Sequence, residues 1–121
     1  MKRSIGIIVL LTLLSTLCFT GCQSKAERIQ GLLNLGENYL LELDYENALL
    51  SFEQVLDLDP ENTDAYRLIA QTHRDSGNYP AAIAALQEGI DITNAQQLAD
   101  ILAAYNDEME KLEQQRLQEQ A

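Results

Sequence analysis

Residues 32–60 read LLNLGENYLLELDYENALLSFEQVLDLDP and residues 66–94 read YRLIAQTHRDSGNYPAAIAALQEGIDITN, one design written twice at an offset of 34 positions. Under that shift Leu35 falls on Ile69, Gly36 on Ala70, Asp44 on Asn78, Tyr45 on Tyr79, Ala48 on Ala82, Phe52 on Leu86, Asp57 on Asp91 and Leu58 on Ile92. Small falls on small and apolar on apolar, which is how a stack of repeated supersecondary units appears in a sequence. Residues three and four apart share a helix face, so Leu32, Leu35, Gly36 and Tyr39 form one stripe. Gly36 and Ala48 are small where two helices must approach closely, and Tyr45 and Phe52 fill the space around them.

The pattern predicts helices over 26–42, 45–58, 63–76 and 79–92. Asp44 and Asn78 stand where a side-chain oxygen accepts from the free amides that open the second helix of each pair. Pro80, in the first turn, removes an amide that would have had no partner. With connections this short, neighbours are antiparallel.

This arrangement resembles the tetratricopeptide repeat. That family places a large apolar residue, Leu-Gly and Tyr on a first helix, and Tyr, Ala, Phe, Ala and Pro on a second. Leu32, Leu35, Gly36, Tyr39, Tyr45, Ala48, Phe52 and Pro60 match in the first repeat, with Val55 where the family prefers Ala. Tyr66, Ile69, Ala70, Tyr79, Ala82 and Leu86 match in the second, with His73, Gly89 and Asn94 departing from the family's Tyr, Ala and Pro. The fold implied is all-α, an α-solenoid of two hairpins, residues 29–62 and 63–94. A C-terminal capping helix over 95–112 follows, in which Leu98, Ile101, Leu102 and Tyr105 reproduce the first-helix spacing and Thr93 and Gln96 are spaced as a capping box. Residues 113–121 have little to bury and read as a polar, fraying tail.

Ahead of the repeats, Lys2 and Arg3 precede an apolar run of 15 residues from Ile5 to Phe19. A permanent membrane span needs about 20 apolar residues, so this run has the length of a signal-peptide core. Phe19-Thr20-Gly21-Cys22 resembles the bacterial lipobox, although that family usually has Leu where Phe19 stands. The resemblance implies a lipoprotein signal peptide over 1–21, cleavage before a diacylated Cys22, and a short tether over 22–28. Each buried methylene of a lipid is worth about 0.8 kcal/mol, so one chain binds reversibly and two hold stably. Cys18 would leave with the leader, and the single remaining thiol, already alkylated, forbids an internal disulfide. Gln23 replaces the Asp that retains such lipoproteins in the inner membrane. The expected address is the outer membrane of a Gram-negative cell, or the outer face of the plasma membrane of a Gram-positive one.

Charge excludes one partner class. The chain carries 8 Lys and Arg against 19 Asp and Glu, a net charge of -11, and losing Lys2 and Arg3 makes it more negative. Nucleic acid is repelled by such a field, whereas a protein with a basic surface is attracted. Catalytic groupings are sparse. His73 is the sole imidazole, no Ser or Cys is paired with it by spacing, and it reads as a helix-packing or groove-lining residue. Asp57, Asp59, Glu61 and Asp64 lack the Gly and bidentate Glu of a calcium loop, since Asn62 and Leu68 occupy those places, and they read as turn and helix-start acids. No metal site, cofactor or enzyme activity is expected.

The repeat resemblance implies a concave groove lined from Gln30, Leu33, Glu37, Leu40 and Leu41 in the first repeat and from Asp64, Arg67, Gln71, Arg74 and Asp75 in the second. Leu33 and Glu37 replace two members of the family's clamp for a C-terminal carboxylate. The candidate partner contacts are Leu33, Glu37, Leu40, Arg67, Gln71 and Arg74. Arg67 and Arg74 either hold a partner's carboxylate or pair with Asp64 and Asp75; the leucines either meet a partner helix or pack on the membrane-proximal end or a second copy. Two functions follow: an adaptor that binds another envelope protein or peptide, and a self-associating structural element, since two repeats bury little alone. Replacing Cys22 with Ser is expected to leave an uncut precursor or release a soluble form. Fractionation and N-terminal sequencing test this, and unchanged membrane retention with a different mature N-terminus overturns it.

Overall fold

The structure, a computed structural model, describes residues 23–120, in which five helices follow in order: α1 Lys25–Leu41, α2 Tyr45–Leu58, α3 Thr63–Asp75, α4 Tyr79–Thr93 and α5 Gln96–Gln120. The leader expected over 1–21 and the acylation expected at Cys22 lie outside the described residues. Each helix packs on the next, α1 on α2 and α3 on α4 as hairpins, with α5 closing on α4 and touching α3.

The two hairpin turns are built alike. At the end of α1 the Leu43 amide donates to the Leu40 carbonyl at 3.0 Å and the Asp44 amide to that of Tyr39 at 2.9 Å. At the end of α3 the Gly77 amide donates to Arg74 and the Asn78 amide to His73, both at 2.8 Å. This is the Schellman closure, which needs a left-handed residue just beyond the helix. Gly77 takes it with φ +81° at no steric cost, and Leu43 takes it with φ +59°. The next residue then starts the following helix: Asp44 Oδ1 accepts from the Asn47 amide at 3.2 Å and Asn78 Oδ1 from the Ala81 amide at 3.3 Å. One residue therefore ends one helix and caps the next.

Between the hairpins, Asn62 caps α3 by accepting from the Ala65 amide at 3.0 Å, while its amide group donates to Asp59 at 3.2 Å. The Tyr66 hydroxyl donates to the Pro60 carbonyl at 3.2 Å and ties the turn to the core. Of the acids expected to serve helix starts, Asp59 braces the cap of α3 and Asp64 lies in its first turn, whereas Asp57 is in the last turn of α2.

Two adjoining clusters form the core. Ala48 and Phe52 of α2 meet Leu68 and Ile69 of α3, with Leu33, Tyr39 and Leu40 packed beside them. Tyr66 and Ala70 meet Ala82 and Leu86 of α4 and Leu98 and Tyr105 of α5. Leu56 and Ala85 touch both clusters, so the hydrophobic layer is continuous. Close approach depends on missing side chains. A Cβ at Gly36 would stand 2.6 Å from Phe52 Cζ and closer still to Cε1. One at Gly89 would meet Leu98 Cδ1 and Tyr66 Cγ at 2.7 Å, which explains why glycine stands where the repeat pattern has alanine.

Four expectations are corrected. Residues 25–28, expected to belong to a tether over 22–28, are helical, because Ser24 and Glu27 form a capping box, at 3.2 and 2.8 Å, that starts α1 at Lys25. The capping box at Thr93 and Gln96 does not form. Thr93 is the last residue of α4; its hydroxyl donates to the Gly89 carbonyl at 2.6 Å and accepts from the Ala95 amide at 3.2 Å. Leu35 was expected in the packing stripe, yet it is 44% exposed while its counterpart Ile69 is 7% exposed. The difference is positional: α2 covers Ile69, and no described helix precedes α1. Finally, residues 113–120 continue α5 as helix instead of forming a separate tail, with every side chain from Asn106 to Gln120 exposed. Local pairs hold this stretch, Arg116 with Glu113 at 2.5 Å and Gln114 with Glu110 at 3.3 Å.

Two glycines of one helix should respond oppositely to the same substitution. Gly31→Ala meets open space and should stabilise by about 0.5–1 kcal/mol through helix propensity, whereas Gly36→Ala should destabilise by about 1–3 kcal/mol as Phe52 is displaced. Urea unfolding measures both, and equal effects would show that α1 and α2 are not packed in this register.

Candidate partner-binding groove

Glu37, Leu40 and Leu41 lie three and four residues apart on α1, and Arg67, Leu68 and Gln71 are spaced the same way on α3. These six side chains line a shallow groove of about 340 Å³. Three of them are leucines, and the others are one acid, one base and one amide. Four of the expected contacts, Glu37, Leu40, Arg67 and Gln71, are brought together here.

The other two stand elsewhere. Leu33 is half-buried against the Ala48 and Phe52 cluster, so most of its surface belongs to the core. Arg74 lies farther along α3, beside α5, where its guanidinium carbon sits 5.1 Å from the centroid of the Tyr105 ring. The repeat pattern alone makes Tyr105 a packing residue. Its spacing, equivalent to Tyr39 and His73, carried the signal that it faces α3.

Both arginines already hold carboxylates. Arg67 donates through Nε and Nη2 to Asp64 Oδ1 at 3.3 and 3.2 Å, and Arg74 donates likewise to Asp75 Oδ1 at 3.1 and 2.8 Å. Of the two readings open for these side chains, the geometry gives the intramolecular one. The hydrogen bond that Arg74 donates to Asp75 is the main cause that raises the Arg74 pKa, with burial acting against it. Such partly exposed pairs contribute at most about 1 kcal/mol, so a partner can exchange them at small cost.

His73 faces a different crevice of about 390 Å³, shared with Glu53, Leu56, Tyr66, Ile69 and Glu88. It is half-buried, and no serine or cysteine lines that space among the described residues. Burial lowers its pKa, and the nearby Glu53 carboxylate partly opposes the shift. Among the described residues no three His, Cys, Asp or Glu side chains converge as a metal site would require, and no helix is long and apolar enough to cross a membrane.

Comparison with known families agrees with this architecture. A profile of the tetratricopeptide repeat matches residues 39–107, from the last turn of α1 into the first half of α5 and more than half of the chain. The chain belongs to the tetratricopeptide repeat family. A search of curated proteins returned no match. Membership implies protein partners in general, and no catalytic family matches.

A lowered histidine pKa has a definite sign in stability. Because the folded state resists protonation of His73, the unfolded chain, with a value of about 6.5, takes up the proton first. The contribution is intact above about pH 6.5 and is lost as pH falls through the folded value. Urea midpoints measured from pH 8 down to about pH 5 should therefore decline less steeply in His73→Gln than in the parent chain. Parallel profiles would show that His73 is as solvated as it is in the unfolded chain.

Proposed function

We propose that this chain is a lipid-anchored adaptor of the bacterial cell envelope, held to the membrane through Cys22 and capturing a protein or peptide partner in the groove between α1 and α3. The groove itself carries the reading: a space lined by Leu40, Leu68 and the exposed Leu41 together with Glu37, Arg67 and Gln71 suits one or two apolar side chains held among polar groups. Its position agrees with a membrane mount. Ser24 caps α1 two residues after Cys22, so an anchor there would leave the groove little freedom to wander from the surface. The net charge of -11 favours a partner with a basic surface, whose approach would be steered at low salt and screened as the Debye length shortens to about 8 Å at 0.15 M.

Self-association is the second reading, and one observation favours it: Met109, Leu112 and Leu117 are exposed on the part of α5 that extends beyond Glu108, the last residue to bond another helix. The two readings place the working surface at different ends of the molecule. Glu37→Lys combined with Gln71→Ala leaves the core untouched and should reduce crosslinked capture from intact membranes by about tenfold, roughly the value of one good polar contact. Unchanged capture by that variant, with loss of capture in Leu112→Ser, would overturn the groove as the binding face.

A further inference from the structure

We infer that the tip of the α1–α2 hairpin, Leu41 and Leu43, is a docking knob for a helix whose apolar face is flanked by lysine or arginine. The inference rests on the groove reading to the extent that Leu41 lines both surfaces.

Its first support is a strained side chain with no internal use. Leu43 occupies the left-handed position that closes α1, with φ +59°, where the second hairpin has Gly77 with φ +81°. The hydrogen bonds of the two turns are the same, so glycine would close the first turn equally well. A bulky residue is disfavoured there because its Cβ crowds the following carbonyl. Packing does not compensate, since Leu43 is 69% exposed. Leu41, two residues earlier, is 83% exposed. Strain held at an exposed apolar side chain points to a use outside the fold.

The second support is the difference between the two turns. At the 34-residue offset Leu41 corresponds to Asp75 and Leu43 to Gly77, so the second turn is polar where the first is apolar. Asp75 holds Arg74 at 2.8 Å and Gly77 relieves the backbone, whereas neither leucine serves its own turn in that way.

Charge selects the occupant. Every side chain charged at neutral pH between residues 37 and 46 is a carboxylate: Glu37, Glu42, Asp44 and Glu46. The groove's one cation, Arg67, is already paired with Asp64 at 3.2 Å. A second copy would bring the same acids together, and an anionic lipid surface would be repelled. A helix with apolar residues at i, i+3, i+4 and i+7 can lay one side chain over Leu41 and Leu43 and the next toward Leu40 and Leu68, while its basic flanks meet the acidic frame.

The test uses the full chain and two synthetic helical peptides, one with a leucine face flanked by lysines and the other with glutamates in place of the lysines. Fluorescence anisotropy should show binding of the lysine peptide that weakens with salt, and weaker binding of the glutamate peptide. Leu43→Gly and Leu41→Ser should each lose about tenfold in affinity, while Leu50→Ser, at a leucine 52% exposed on α2, loses less than about twofold. The Leu43→Gly chain should melt no lower than the parent, separating lost binding from lost folding. Tip variants that bind like the parent overturn the inference, as does equal binding of both peptides. A concentration-dependent dimer that Leu43→Gly dissolves overturns it in favour of a self-contact. If Glu37→Lys with Gln71→Ala weakens binding while the tip variants do not, the groove stands and the knob falls.

Discussion

Two helices can lie against each other only as closely as their smallest facing residues allow, and here a bare hydrogen sets that distance. Phe52 enters the space left open at Gly36, and Tyr66 and Leu98 enter the space left open at Gly89. Everything else in the stack follows from these approaches: Ala48, Ala70 and Ala82 are fully buried because helices drawn so near leave no room for more than a methyl group. The turns obey the same economy. Asp44 and Asn78 each end one helix and start another, so neither hairpin has slack with which to alter its spacing.

Much of this was legible because it is periodic. The 34-residue offset gave the four hairpin helices to within about one residue of their observed ends. What escaped depended on surroundings that a single repeat does not encode. Leu35 and Ile69 hold the same place in the pattern, and only the presence of a neighbouring helix makes one exposed and the other buried. Thr93 had the chemistry of a helix start but back-bonds to Gly89 at the end of α4, a local competition that spacing cannot decide. The extension of α5 past residue 112 escaped for the opposite reason: it buries nothing, so no apolar pattern announced it.

The candidate site divides along the same line. Groove residues set by helix phase, Glu37 and Leu40 on α1 and Arg67 and Gln71 on α3, meet because phase is readable from spacing. Arg74 has the right phase but the wrong neighbour, since α5 brings Tyr105 against it. Leu33 shows the converse, a residue on the groove side whose bulk is absorbed by the core. Both arginines satisfy their charge with the nearest acid, while no cation among the described residues pairs with Glu37, and the leucines are the groove's main feature.

On α5 the spacing that begins at Leu98 puts Leu102 where α1 has Gly36 and α3 has Ala70, and Leu102 packs into the second cluster. A large aromatic or aliphatic residue could not enter beside it as Phe52 enters beside Gly36, because a leucine side chain leaves no such opening. Lengthening such an array by gene duplication would first require a small residue at that one position. One side chain thus fills, at α5, the place that a hydrogen or a methyl group leaves open on α1 and α3.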